Sequence, residues 1–253
     1  MEAFAILLAA GKGTRMKSEL PKVLHPVGGM PMIGRLVNKL ESMPINRILA
    51  VIGHKGELVR EYLGTRVTFV EQIHQLGTAH AVLQTEQQLG NRCGSTLVLT
   101  GDTPLIRQST IERLLAARRA HGCAGVVLTA VVQDPSGYGR IIRDPLSGEV
   151  VDIIEEKDAT PEQKRITEIN TGIFCFDNES LFQALPGITT NNAQQEFYLT
   201  DIVKVMRQTG ISGGSKRFEA IVLEDPMEVM GINTPEQLEE ANRAFYARMG
   251  IFA

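Results

Sequence analysis

The sequence predicts an α/β fold: a mixed but mainly parallel sheet flanked by helices, with a smaller antiparallel lobe inserted in its second half. Three observations predict it. Short apolar runs alternate with helix-period stripes as far as Gly122, which is the βαβα rhythm of a parallel sheet covered on both faces. Beyond Gly122 two apolar runs are joined by a Pro/Gly turn, the pattern of an antiparallel hairpin. No internal repeat, low-complexity segment or linker interrupts the 253 residues, so one unit is expected over 1–253.

The elements follow in order. Residues 4–8 form a short apolar run bounded by small residues, as in a strand buried on both sides. Ile33, Leu36, Val37 and Leu40 then recur at i, i+3, i+4 and i+7, a helix stripe. Strands are predicted at 47–52, 67–70 and 95–100, helices at 54–63 and 77–89, and a further helix around Ile111, Leu114 and Leu115. "AGVVLTAVV" and "GYGRII" read as strands, and "DPLSGE" as a turn before the strand "VVDIIEE". A strand at 172–176, helices near Leu181 and Ile202 and a strand at 219–223 complete the lobe and its return. The last helix carries Leu238, Ala241, Phe245 and Met249 on one face.

Composition excludes several function classes. Lys plus Arg number 26 against 29 Asp plus Glu, a net charge of −3, so no broad basic field for nucleic acid is expected. The chain has neither a secretory leader pattern nor an apolar run of the roughly 18 residues that a membrane helix needs, so no membrane partner is expected. Cys93, Cys123 and Cys175 are widely spaced and odd in number, which suits reduced thiols, a cytoplasmic location and packing as small apolar side chains. His25, His54, His74, His80 and His121 lack metal-ligand spacing, and His80, beside Ala79 and Ala81, reads as a structural histidine. "ERLLAARRAH" reads as an exposed charged helix face.

The chemistry concentrates in "LLAAGKGTRMKSELPKVL", where the first strand ends. Gly11 and Gly13 let the backbone approach an anion, and Lys12, Arg15, Lys17 and Lys22 surround it with positive charge. Neither familiar phosphate loop fits: G-x-x-x-x-G-K-[ST] is absent, and Met16 stands where the dinucleotide fingerprint needs Gly or Ala. A lone G-x-G also describes an ordinary tight turn, and four solvated surface cations is the competing reading. Arg15 and Lys22, with Pro21 fixing the backbone before Lys22, suit a triphosphate whose charge rises at one phosphorus during reaction. Lys17 reads as surface.

This loop, followed in order by "EQIHQLGTAHAV", "LVLTGDTPLI", "DPSGYGRII", "IIEEKDAT", "EINTGIF", "NNAQQEFYLTD" and "GIN", resembles the sugar nucleotidyltransferase superfamily. Within it, the motifs resemble the N-terminal pyrophosphorylase domain of the bacterial bifunctional N-acetylglucosamine-1-phosphate uridylyltransferase family, and the likeness runs from Leu7 to about Asn233. The resemblance implies the Rossmann-like nucleotide-diphospho-sugar transferase fold, with a nucleotide-binding half to about residue 122, a sugar-binding half over about 123–232, and a C-terminal helix in 233–253. It implies uridylyl transfer from UTP to N-acetylglucosamine 1-phosphate, yielding pyrophosphate and UDP-N-acetylglucosamine, a peptidoglycan precursor.

Roles carry over residue by residue. Arg15 and Lys22 would hold the phosphates, with Asp102 as the third catalytic residue. Asp102 follows a strand at the same sheet edge, where a carboxylate would repel phosphates unless Mg²⁺ lay between them; the family's second ligand is the Asn of "GIN", Asn233. Helix capping is the alternative for both Asp102 and Asn233. Leu8, Ala10, Gly11, Gly13, Gln72, Gln75, Gly77 and Thr78 would bind the nucleotide; glutamine donates and accepts together, which suits the imide edge of uracil. Thr78 opens a helix and also reads as its N-cap. Gly101, Gly139, Glu155, Asn170 and Thr200 would serve the sugar phosphate, whereas Tyr198 reads as a core aromatic.

Departures from the family pattern set further expectations. The family's left-handed β-helix of hexapeptide repeats is missing from these residues, so no acetyltransferase activity is expected, and without that trimerising domain the resemblance assigns no oligomeric state. Pro235 stands where the family commonly begins a helix with Arg, Thr100 replaces a frequent aromatic before "GD", and "DPLSGE" is slightly longer than usual. Two alternatives stay open: the same chemistry on another sugar 1-phosphate or nucleotide, or a non-catalytic nucleotide-sugar-binding regulator. A regulator would be expected to lose cationic or metal-binding positions, and Arg15, Lys22, Asp102 and Asn233 are all present.

Overall fold

Side-chain alternation sets the architecture. In β1 (Glu2–Ala9), Ala5, Leu7 and Ala9 enter one core layer and Phe4 and Ile6 the other, and all five are buried. The computed structural model describes residues 1–209 and 217–251. β4 (Arg47–Ile52) and β6 (Gly94–Thr100) flank β1 in parallel, and β5 (Thr68–Glu71) extends the sheet beyond β4. Beyond β6 come β10 (Glu168–Asp177), β7 (Gly125–Val131) and β11 (Phe218–Leu223). β10 is antiparallel to both neighbours, while β11 is parallel to β7, giving the mixed sheet. The antiparallel hairpin of β8 (Arg140–Arg143) and β9 (Val150–Ile154) joins β10 where Arg140 faces Ile169.

Helices cover both faces. α1 (Met32–Glu41), α2 (Gly56–Leu63) and α5 (Gln108–His121) bury Leu36, Val59 and Leu114 on one side. α3 (Thr78–Leu83), α6 (Asn178–Ala184) and α7 (Ile202–Thr209) bury Val82, Leu181 and Ile202 on the other. α8 (Pro235–Arg248) lies apart, packing Ala241 and Phe245 against Val27 of the small antiparallel pair β2 (Pro26–Val27) and β3 (Met30–Pro31), with the Arg35 guanidinium 4.0 Å from the centre of the Phe245 ring.

Several local expectations differ from the structure. The helix predicted over 77–89 divides into α3 and α4 (Glu86–Leu89), because Thr85 turns its hydroxyl back onto Val82 O at 2.7 Å and closes the first segment. The strand predicted at 172–176 begins at Glu168; a register shift between Asn170 and Phe174, with Gly172 at φ 75°, hides its first residues from a simple period-two pattern. Met249 lies beyond the end of α8 and is 63% exposed, so the apolar face stops one turn earlier. Cys123 and Cys175 are buried, and burial pushes their thiols up to about 11 and about 12, but Cys93 is exposed.

The charged run on α5 is not wholly solvated either. Arg118 is buried, donating from Nε to Ser95 Oγ at 3.0 Å and from Nη1 to Asp177 Oδ1 at 3.0 Å. Its long side chain thus ties α5 to the start of β6 and the end of β10. Arg118→Ala is expected to destabilise the fold by about 2–4 kcal/mol, since it strands a partly buried carboxylate and a buried hydroxyl. Urea unfolding with a wild-type midpoint would remove this role.

Candidate active site

The carboxyl ends of β1, β4 and β6 stand level, with Leu8 opposite Thr100 and Ala9 opposite Ile52. In a parallel sheet such an edge is where connecting loops diverge and leave a crevice. The glycine-rich loop leaves β1 here. Gly13 adopts φ 61° and begins a 3-10 turn over Thr14–Met16; Pro21 then leads into a second over Lys22–Leu24. A Cβ on Gly13 would lie 2.8 Å from Lys22 Cβ, so glycine is what lets the two ends of the loop close together.

That closure delivers Lys22 to a junction of three elements. Its ammonium forms an ion pair with Asp102 Oδ2 and donates to Asn233 Oδ1 at 2.9 Å, while Arg15 Nη2 donates to the same Asn233 oxygen at 2.9 Å. Lys22 and Asp102 are largely sequestered, with side chains 17% and 14% exposed. The Asn233 segment is anchored independently: Ile232 N donates to Asp102 O at 3.0 Å and Asn233 N to Gln237 Oε1 at 2.8 Å. The capping alternatives do not occur. Thr234 caps α8 by accepting from Gln237 N, and the Asp102 and Asn233 oxygens turn to the cations instead.

The same pair of oxygens has the character of a hard-cation site. Asp102 Oδ2 and Asn233 Oδ1 converge on one ammonium, and no group of three or more His, Cys, Asp or Glu side chains forms a metal cluster among the described residues. One carboxylate and one amide oxygen fit Mg²⁺, which keeps several waters and takes ligands from substrate phosphates rather than from an all-protein cage.

Beside this junction lies a cavity of about 300 Å³. Leu8, Ala10 and Gly11 line it from the end of β1 and just beyond, Gln72, Gln75 and Gly77 from the segment between β5 and α3, and Thr78 from the start of α3. Lys22 and Asp102 reach its wall, as does Thr100. Gly13 and Arg15 lie outside the lining; Arg15 is exposed and reaches the junction through Asn233. Glu196 also lines the cavity. It sits within "NNAQQEFYLTD", where nothing in the sequence distinguishes it from a surface carboxylate.

The segment at 72–78 is held by contacts far apart in sequence. Gln72 is 3% exposed, and its Nε2 lies 3.0 Å from both Gly77 O and His80 Nδ1. Gln75 Nε2 donates to Gln72 O at 3.0 Å. Thr78 does not cap α3: its hydroxyl accepts from Leu199 N at 2.9 Å, while Gly77 occupies the cap position.

A second cluster forms where β8, β9 and β10 meet. Asn170 N donates to Gly139 O at 2.8 Å, and Thr200 Oγ1 donates to Glu155 Oε1 at 3.0 Å. A Cβ on Gly139 would come within 3.4 Å of both Asn170 Cβ and Glu155 Oε2, so these residues share one surface. Burial raises the Glu155 carboxyl above its ordinary range, with the Thr200 bond opposing it. Gly172 approaches Thr100, which links this cluster to the cavity wall. Gly101 is placed elsewhere: its N donates to Leu8 O at 2.9 Å, and a Cβ there would strike Val23 of the cationic loop's second turn. Tyr198 is buried, as expected of a core aromatic, and burial pushes its phenol up to about 12.

Residues 5–169 match the family model described as the MobA-like NTP transferase domain. The chain is 46% identical over 246 residues to "Bifunctional protein GlmU" of Enterococcus faecalis, covering 97% of this chain and 52% of that protein. Proteins of the same name from Listeria monocytogenes and Halalkalibacterium halodurans are each 45% identical over 246 residues, covering 97% of this chain and 52% and 53% of theirs. The chain thus spans about half the length of these curated relatives. The solved structure titled "The Crystal Structure of UDP-glucose pyrophosphorylase complexed with UDP-glucose" superposes with a TM-score of 0.76 at 20% identity, over 98% of this chain and 100% of that one, a likeness of fold.

Proposed function

The chain belongs to the MobA-like NTP transferase family, and we propose that it transfers uridylyl from UTP to N-acetylglucosamine 1-phosphate. A phosphate oxygen of the sugar attacks the α-phosphorus, the bond to the β-phosphate's bridging oxygen breaks, and pyrophosphate leaves with UDP-N-acetylglucosamine as the other product. The observation that carries this reading is the junction of Lys22, Asp102 and Asn233 at the wall of the cavity, with Arg15 on the same asparagine.

The attacking oxygen is already anionic, so the reaction needs position and charge neutralisation rather than a general base. Lys22 and Arg15 hold the triphosphate and offset the charge that builds at the α-phosphorus. Gln72, Gln75, Gly77 and Thr78 take the base, and Ala10 and Gly11 pass their backbone close to the nucleotide. Gly139, Glu155 and Asn170 receive the sugar, with Thr200 orienting Glu155 through its hydroxyl. Asp102 and Asn233 would hold Mg²⁺, which supplies charge neutralisation on the phosphates when bound. The nucleotide half to about residue 122, the sugar half over about 123–232 and the cytoplasmic location belong to the same proposal.

The resemblance carried by the sequence motifs implies the substrate pair, and the nucleotide sugar bound in the structural neighbour agrees with the reaction class. The test is pyrophosphate release from UTP with N-acetylglucosamine 1-phosphate, with and without Mg²⁺, beside controls with glucose 1-phosphate and with CTP. Metal-dependent release confined mainly to the first pair is expected. Release favouring another pair would displace the substrate assignment, and folded protein releasing none with any pair would overturn the enzymatic reading.

A further inference from the structure

We propose that Lys39 and Arg248 are positioning residues for the Asp102–Asn233 oxygen pair. They clamp the backbone of the loop that carries Asp102, one from α1 and the other from the end of α8, whose first turn holds Asn233. The inference rests on the reading of that pair as the Mg²⁺ site.

The loop is both irregular and enclosed. Between β6 and α5 the chain forms neither strand nor helix, yet Thr103, Pro104, Leu105 and Ile106 are buried. Backbone carbonyls shut away from water need partners. Three come from outside the loop: Ile232 N donates to Asp102 O at 3.0 Å, Lys39 Nζ to Pro104 O at 2.7 Å, and Arg248 Nη1 to Leu105 O at 2.9 Å. Two of these donors are cations, which bond a carbonyl more strongly than a neutral group does. Arg248 Nη2 also donates to Asp225 Oδ2 at 2.8 Å, which fixes the direction of the guanidinium.

Asn233 is fastened to the same helix. Its N donates to Gln237 Oε1 at 2.8 Å, and Gln237 N donates to Thr234 Oγ1 at 3.3 Å, a variant of the capping box that locks the lead-in to the first turn. α8 therefore bears on the oxygen pair from both ends. Asn233 enters at its start, while Arg248, its last residue, grips the chain three residues beyond Asp102. Between the ends, Ala241 is buried with Ile232 and Leu105 in a small core, separate from the two layers that cover the sheet.

Mg²⁺ demands near-octahedral geometry and tolerates little displacement of its ligands. Here the two protein oxygens arrive on segments remote in sequence, so their spacing depends on what joins those segments. Contacts that orient metal ligands in this way typically change metal affinity by about 10- to 100-fold when removed. Because the small core stands apart from the main layers, the clamp can loosen while the sheet stays folded.

The experiment measures UTP dissociation constants by titration calorimetry without sugar phosphate, once with Mg²⁺ and once with EDTA, together with urea midpoints. The proteins are wild type, Lys39→Met, Arg248→Ala, Arg248→Lys and Asp102→Asn. Mg²⁺ is expected to tighten UTP binding to wild type, and Asp102→Asn to abolish that tightening. Lys39→Met keeps the bulk of the side chain but removes the donor; it and Arg248→Ala are each expected to reduce the tightening by about 10-fold, with metal-free UTP affinity unchanged. Arg248→Lys retains one donor for Leu105 O and is expected to recover most of the loss. Equal losses of UTP affinity with and without Mg²⁺ would show general loosening and overturn the positioning role, as would full tightening in the clamp variants or no recovery in Arg248→Lys. Tightening absent from wild type, or kept in Asp102→Asn, would overturn the metal reading and the clamp with it; loss in Asp102→Asn alone would overturn only the clamp. Should Lys39→Met fail to fold, the two Arg248 variants, at the partly exposed end of α8, decide the matter.

Discussion

Lys22→Ala is expected to lower kcat by about 10²- to 10³-fold, equivalent to about 2.7–4 kcal/mol of transition-state stabilisation, with a much smaller change in KM. The size follows from where the ammonium is held. Lys22 stands at the start of a 3-10 turn fixed by Pro21, its side chain is 17% exposed, and it is directed by Asp102 and Asn233. A cation held this close to the cavity wall meets the charge that builds at the α-phosphorus, and partial exclusion of water increases its effect. Lys22→Arg retains charge but spreads it over a planar fork that cannot occupy the same point between two oxygens, so an intermediate loss is expected. Initial rates over a range of UTP and sugar-phosphate concentrations separate the terms. A kcat within a few-fold of wild type, or a loss confined to KM, would show that Lys22 binds substrate without assisting the chemistry.

Much of this candidate site is legible in the sequence because its signals are local. A glycine-rich loop after an apolar strand, and an aspartate directly after another, declare their sheet edge through the strand pattern alone, and the registers Leu8 to Thr100 and Ala9 to Ile52 place them level. What stayed hidden depends on residues distant in sequence. Thr78 at a helix start has the local mark of a cap, and only folding brings Leu199 N to its hydroxyl, 121 residues away. In the sequence Gln72 reads as both donor and acceptor, a property of the free side chain; in the fold its amide nitrogen is engaged by Gly77 O. Arg118 sits in a run that looks uniformly solvated, yet its reach to Ser95 and Asp177 follows from how α5 lies across the sheet. The rule that charged runs face water describes an average, and a long guanidinium can satisfy it at one end of its helix while violating it at the other.

Gly77→Ala is expected to be the most damaging single substitution in the cavity wall, costing about 3–5 kcal/mol in stability together with the loss of measurable UTP binding. Gly77 adopts φ 118° and ψ 175°, a conformation that is essentially restricted to glycine. Its neighbours make the position worse still. A Cβ there would lie 2.4 Å from Phe197 O and 2.7 Å from Phe197 N, both backbone atoms. The Phe197 backbone has little freedom to retreat, because its N donates to Leu76 O at 2.8 Å and its O accepts from Ala79 N at 2.9 Å. Relief therefore requires breaking these bonds, and the segments they join carry Gln72, Gln75 and Thr78. Gly64→Ala is the control. Gly64 also has a glycine-favoured backbone, at φ 56° and ψ −127°, but a Cβ there would meet nothing within 4 Å. It should show the backbone strain alone, about 1–3 kcal/mol, with UTP affinity intact. Denaturant unfolding and UTP titration of both variants test the difference. Equal losses would mean that backbone strain accounts for the whole effect and that the Phe197 segment yields; a larger loss in Gly77→Ala, with UTP binding gone, would trace the cavity wall to this one close contact between two main chains.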